Sequence, residues 1–192
     1  NVCADDWVGI TPGTDGLFIL SMIHCLMKAG KIDLNYLAQY TDAPVLVNGD
    51  EKSPEFGLFL RDKNGKELVI DRATGKLTPF DQPGVKPDLA ATHRAKGVTH
   101  RPVFHQMADQ YLSDDYTPEA VADRVGIPAG RIRAIAAELA RVAFEEAFEL
   151  DHEWTDFRGE THQTMTGRPV SFHAMRGISA HANGFQTCRA LH

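Results

Sequence analysis

Trp7-Val8-Gly9-Ile10-Thr11-Pro12-Gly13-Thr14-Asp15-Gly16 is the stretch on which the reading of this chain turns. Trp7, Val8 and Ile10 predict a short strand or extended lead-in, and Pro12-Gly13 predicts a turn. Thr14 suits an N-cap, and the helix it opens runs to about Ala29, where Gly30 stops it. Leu17, Leu20, Ile23 or His24, and Met27 supply one apolar face, thickened by Phe18, Ile19, Met22 and Leu26. Apolar coverage that wide predicts burial on several sides, as for a helix packed on a sheet in an α/β protein. A turn feeding a helix start also leaves bare backbone N–H groups at the positive end of the helix dipole, a seat for an anion. Asp15 beside such a seat is unfavourable to phosphate but suits the paired N–H donors of a guanine edge. An ordinary capped turn is the plain alternative.

Working outward, a second short helix is expected over 34–40, ended by Thr41-Asp42-Ala43-Pro44. Residues 56–61 and 66–71 flank Asn64-Gly65, a hairpin signal. Pro79, Pro83, Gly84, Pro87 and Pro102 then punctuate what reads as a surface excursion. Helices are expected over 103–112, from Thr117-Pro118-Glu119 to Gly126, and from Pro128 to roughly Phe148. After Asp151 the chain reads as polar and turn-rich up to a strand at Pro169-Val170-Ser171-Phe172-His173. A glycine-bearing loop follows, and then a helix from about Phe185. The segments are 1–49, cofactor-side α/β; 50–102, hairpin and excursion; 103–150, helical; and 151–192, strand–loop–helix.

Composition narrows the function. The 192 residues are 43% hydrophobic and 24% charged, a globular balance. A net charge of −6 argues against a general nucleic-acid binder. The longest apolar stretch, 17–27, is too short to span a bilayer, so no direct membrane insertion is expected. Three dispersed cysteines (Cys3, Cys25, Cys188) form no CxxC pair or disulfide framework. The nine histidines build no HExxH or Cys/His cluster, so no metal ligand and no catalytic residue is assigned. Asn1-Val2-Cys3 carries no leader pattern and the last helix has no cap, which reads as an interior piece of a longer subunit. Compartment is left open.

Two further stretches bear on chemistry. Arg176-Gly177-Ile178-Ser179-Ala180-His181-Ala182-Asn183-Gly184-Phe185-Gln186 combines two glycines, where backbone can approach a ligand, with several donors. Mutually capping loop residues are its plain reading. Residues 116–142 outline a helix-turn-helix with Arg131 and Arg133, but Glu138, Glu145, Glu146 and Glu149 load the same region with acid. Packing of two helices is the expectation there, with a DNA-binding regulator or a non-catalytic α/β lobe as rivals.

The opening run resembles the W-x-x-I-x-P-G-T-D-G-A-L stretch of the molybdopterin oxidoreductases that use two molybdopterin guanine dinucleotides, the dimethyl sulfoxide reductase superfamily. Residues 21–44 look like their helix-plus-YTNAP stretch, Ile70-Asp71-Arg72-Ala73-Thr74-Gly75-Lys76-Leu77 like their WDPATGK segment, and 116–140 like their YTPE–TGIP helix pair. Residues 168–192 are similar to the cofactor-side loop of sulfur-metabolising members, of the sulfite dehydrogenase and thiosulfate or polysulfide reductase type. Each motif is loose, but five fall in order along nearly the whole chain. Leu17-Phe18 replaces Ala-Leu, and Ile70 stands where tryptophan is usual.

The resemblance implies a fragment of the central Rossmann-like cofactor-binding domains, with a β-hairpin insertion and a helix pair. It places Gly13, Thr14 and Asp15 at a guanine dinucleotide, and Arg176, Gly177, His181, Asn183 and Gly184 on a loop lining the cofactor cavity. The implied cofactor is molybdenum bis-molybdopterin guanine dinucleotide. The family's [4Fe-4S] cysteines and usual molybdenum ligand belong to a part preceding this stretch. Implied partners are an iron–sulfur electron-transfer subunit and a membrane anchor subunit, with a small inorganic sulfur compound as substrate. The fragment alone is expected to be inactive.

Overall fold

The protein is described from a computed structural model, over residues 4–95 and 97–191. It mixes helix and sheet and divides into two compact units. The first comprises Asn1–Ile32, Gln110–Glu149 and Thr166–His192; the second comprises Asp33–Asp109 and Leu150–Met165. Cys3 lies outside the described residues.

In the first unit the order is α1 (Asp15–Lys28), the end of α3 (Val103–Tyr111), α4 (Pro118–Val125), α5 (Ala129–Glu145) and α6 (Gly184–Leu191). The boundaries follow from local chemistry. Thr117 caps α4 by accepting from Ala120 N, with Pro118 at the first position, where its missing N–H costs nothing. Gly126 ends α4 in the left-handed region, φ 74°, and its N–H donates to Ala122 O. Val121, Val125, Ile127 and Ile132 are almost wholly buried, and Val8, Ile10, Leu17 and Phe18 pack against them. α1 is half-buried around most of its surface; at the expected face His24 is the buried member of the Ile23/His24 pair, and Ser21, outside that face, is buried as well. The His24 ring takes its partner from the chain, Nδ1 lying 2.9 Å from Tyr111 O.

In the second unit Asp33 caps α2 (Leu34–Tyr40) by accepting from Tyr36 N. β1 (Leu46–Asn48), β5 (Val98–Pro102) and β4 (His93–Ala95) form an antiparallel sheet in that order, with Leu46 opposite Pro102 and His93 opposite His100. β2 (Leu68–Ile70) and β3 (Leu77–Pro79) pair antiparallel around a turn built on Asp71. The Asp71 carboxylate accepts from the Thr74 hydroxyl at 2.7 Å and from Lys86 N at 3.1 Å, and those bonds, the hydroxyl first, lower its pKa. The Ile70–Leu77 motif is therefore a folding signal. β6 (Phe148–Thr155) and β7 (Thr161–Gly167) form a hairpin.

Several sequence expectations change. Residues 7–10 form no strand, so of the two readings offered for them the strand is absent. The first arm of the 56–71 hairpin is irregular: Arg61 bridges Glu67 around the Asn64-Gly65 turn, while β2 finds its ladder partner in β3. The supposed surface excursion holds β3 to β5, and Val85, Pro87, Leu89 and Pro102 are buried. α5 stops at Glu145, the polar stretch after it is the β6–β7 hairpin, and 169–173 is not a strand. Paired strands are antiparallel in the register given, so a parallel βαβ unit is absent among the described ladders.

Two outcomes test this packing. Gly126→Ala is expected to destabilise by about 1–2 kcal/mol, because an L residue at positive φ is strained. A Cβ there would also meet Thr11 Oγ1 at 3.0 Å. Gly130→Ala, in open space on α5, should be neutral or stabilising by about 0.5–1 kcal/mol in the same urea titration. In the second unit, burial pushes the His100 imidazole below its ordinary 6.5, and the charge of the neighbouring His93 ring adds to the fall, against a backbone bond at His93 that opposes it. The unfolded chain then binds the proton first. Stability should be full above pH 6.5 and fall as pH drops from there through the folded value. A His100→Gln variant should lose that slope; an unchanged slope assigns it elsewhere.

Candidate cofactor-side turn

The α1 turn is held by backbone before any side chain acts. Thr11 N donates to Val125 O at 2.9 Å, tying the turn to the last residue of α4. Thr14 N donates to Thr11 O at 3.2 Å, and Gly13 takes φ 82°, a conformation that glycine adopts without a steric cost. The Thr14 hydroxyl does not cap α1: it donates back to Thr11 O at 2.7 Å. The first-turn N–H groups of α1 therefore have no side-chain cap, while Asp15 sits half-buried at the first helical position.

The 176–187 segment meets this turn. Arg176–Ser179 is a 3-10 turn, closed by Ser179 Oγ donating to Arg176 O at 2.8 Å. Gly184 N donates to His181 O at 2.9 Å and Thr187 N to Asn183 O at 2.9 Å, which starts α6. Asn183 Nδ2 reaches Gly13 O at 3.4 Å, a long and weak bond. A Cβ built on Gly13 would lie 3.9 Å from His181 Nδ1. Closer still is the α1–α6 approach, where a Cβ on Gly16 would meet Thr187 Oγ1 at 2.9 Å. Gly184 is the most constrained of the three, since its Cβ would fall 2.3 Å from Ser179 O.

Of the sequence-selected residues, Gly13, Thr14, Asp15, His181, Asn183 and Gly184 are brought to one end of α1. Arg176 and Gly177 are exposed on the 3-10 turn, with no hydrogen bond to the α1 turn among the described residues. Beside this junction lies a groove of about 500 Å³, whose wall includes Gly16, Tyr116, Arg124, Asn183, Gln186 and Thr187. Arg124 and Thr187 were not selected from sequence. Their only signal was a place on a helix flank, which nothing local distinguishes from any solvated position.

Other candidates fare differently. Arg133 is engaged by Glu119 and Arg131 by Asp6, so the two arginines of the outlined helix-turn-helix are ion-paired within the protein. Cys25 borders an apolar groove of about 410 Å³ between α1, α4 and α5, and burial pushes its thiol pKa up, away from the reactive thiolate. Asp156, Glu160 and His162 gather donor atoms within 4.8 Å of one another. These groups are engaged with the chain: Asp156 accepts from Arg158 N, Glu160 N and the His162 ring, and Glu160 accepts from Gly84 N. That trio closes a turn.

No family model matches the chain. Among curated proteins it is 38% identical to a subunit of sulfite dehydrogenase from Allochromatium vinosum, over 98% of this chain and 20% of that protein. It is 30% identical to the alpha subunit of perchlorate reductase from Dechloromonas aromatica, over 71% of this chain and 19% of that protein. With the alpha subunit of dimethylsulfide dehydrogenase from Rhodovulum sulfidophilum the identity is 24%, over 73% of this chain and 17% of that protein. The chain thus spans about a fifth of the length of the curated relatives it matches. Similarity over nearly its whole length to one such protein, and over most of it to others, settles the lineage: this chain belongs to the molybdopterin oxidoreductases of the dimethyl sulfoxide reductase family.

Proposed function

We propose that this chain is part of the protein shell around a molybdenum bis-molybdopterin guanine dinucleotide, in the catalytic subunit of an oxidoreductase acting on a small inorganic sulfur substrate. The observation that carries the reading is the junction of the α1 turn with the start of α6, two stretches 170 residues apart joined by Asn183 and Gly13. The residues there fit a dinucleotide. The uncapped first-turn N–H groups offer donors to a ligand oxygen, the Asp15 carboxylate suits the N–H edge of guanine, and Gly13 and Gly184 keep the backbone open to close approach.

In this reading Gly13, Thr14 and Asp15 hold the guanine end. Asn183, His181 and Gly184 shape the adjoining wall, and Arg176 and Gly177 reach the ligand from the exposed turn. When bound, the cofactor supplies two-electron redox chemistry with oxygen- or sulfur-atom transfer. This chain's share is positioning: Thr11 fixes the turn to α4, Gly16 and Thr187 fix α1 to α6, and Asp15 is held where its charge selects guanine. The Rossmann-like frame, the iron–sulfur cluster, the iron–sulfur partner and the membrane anchor belong to the same proposal. The likeness to a sulfite dehydrogenase favours the sulfur substrate. The neutralised Arg131 and Arg133 weigh against the DNA-binding alternative.

Asp15→Ala in the full-length protein should lower both molybdenum per chain and the guanine nucleotide released on acid hydrolysis, with the thermal unfolding midpoint preserved. Full occupancy in a folded Asp15→Ala protein would refute the guanine role. Gly184→Ala should also cut occupancy, because the Ser179 carbonyl must move and carry Asn183 with it. Gly130→Ala in α5, handled identically, is expected to load normally.

A further inference from the structure

In the second unit a file of rings runs from the surface to a buried carboxylate. Tyr36 and Tyr40, one helical turn apart on α2, have ring centroids 5.5 Å apart, and Tyr36 is 56% exposed. Tyr40 lies 5.7 Å from Trp154 on β6. Trp154 stacks on His162 of β7 at 4.5 Å with planes inclined by 22°. The indole is pinned by its Nε1–H donating to Thr164 O at 3.0 Å. Behind it, His162 Nε2 lies 3.1 Å from a carboxylate oxygen of buried Asp156, whose other oxygen accepts from Arg158 N and Glu160 N at 2.9 Å each.

Stacking and burial explain why these rings pack, but not the run of oxidisable groups. Indole and phenol are among the side chains most readily oxidised by one electron, and electron exchange between rings falls off steeply with separation. Centroids under 6 Å apart leave the ring edges close to contact at both steps. The fixed Asp156 carboxylate, presented through the stacked imidazole, favours positive charge on the indole. Burial, with the Asp156 charge, raises the Tyr40 pKa and keeps it a phenol.

We propose that Trp154, Tyr40 and Tyr36 form a one-electron relay that passes an oxidising equivalent from the Trp154 indole to the exposed Tyr36 phenol. A one-electron oxidising radical takes an electron from Trp154, leaving an indole radical cation whose Nε1–H stays on Thr164 O. Tyr40 returns an electron to the indole and releases its phenolic proton to water. Tyr36 then restores the Tyr40 phenol by giving it an electron and a proton. The net change is one reduced oxidant, one Tyr36 phenoxyl and one proton released to solvent. At neutral pH a phenol yields its electron and proton at lower potential than an indole, so the direction is toward Tyr36. The relay does not depend on the cofactor reading.

These 192 residues hold two tryptophans, Trp7 and Trp154, so in this polypeptide expressed alone, its fold checked first by circular dichroism, Trp7→Phe leaves a single indole. Pulse radiolysis of the Trp7→Phe chain in azide generates the azidyl radical, which oxidises indole in preference to phenol at neutral pH. Indole-radical absorption should decay as phenoxyl absorption grows, at a first-order rate independent of protein concentration. Tyr40→Phe, which keeps the ring in place, should abolish that transfer, and Tyr36→Phe should leave the radical on Tyr40. Radical trapping with mass spectrometry should place the product on Tyr36 in the otherwise unchanged chain. Transfer that persists in the Tyr36→Phe/Tyr40→Phe double variant, with Tyr111 and Tyr116 intact, would overturn the relay. So would indole-radical decay only by second-order recombination in the parent.

Discussion

The first unit depends on one backbone hydrogen bond, Thr11 N to Val125 O, made where α4 ends. It couples the C-terminus of one helix to the turn that opens another, and it forms because Gly126 reverses the chain at positive φ without a side chain in the way. With the turn so held, the Thr14 hydroxyl folds back on Thr11 O instead of capping α1. The first-turn N–H groups are then left to another partner. The chemistry proposed for this end of the molecule is therefore a consequence of how two helices are joined.

Close approach does the rest. Gly16 against Thr187, and Gly184 against the Ser179 carbonyl, allow α1, α6 and the preceding turn to meet at distances a Cβ would forbid. The contacts are steric and nearly without hydrogen bonds, Asn183 to Gly13 being long. A junction of that kind is sensitive to single methyl groups and tolerant of surface charge. The second unit follows a different rule, in which carboxylates such as Asp71 and Asp156 close turns by accepting several N–H or hydroxyl donors at once.

Helix starts and stops were legible in sequence because they rest on neighbours a few residues away: Thr117-Pro118, Gly126 and Gly30 after α1 all act locally. Strands were not. β5 pairs with β1 across more than 50 residues, and its prolines look like loop punctuation until a partner covers them. The β6–β7 hairpin was missed because Asp151, His152, Glu153 and Thr155 are polar on a strand exposed along most of its length. In the candidate site, Gly13 and Asp15 announced themselves by turn chemistry, whereas Arg124 and Thr187 gave no local sign.

The sequence alone determined the helical frame, the acidic charge balance and the family resemblance, since caps, composition and motif order are read directly from the order of residues. Only the tertiary structure decided that the α1 turn and the start of α6 share one end of a helix. It alone showed that Thr14 leaves the helix N–H groups uncapped and that Tyr36, Tyr40 and Trp154 stand in file. Those facts come from contacts between residues far apart in the chain, which no local pattern encodes.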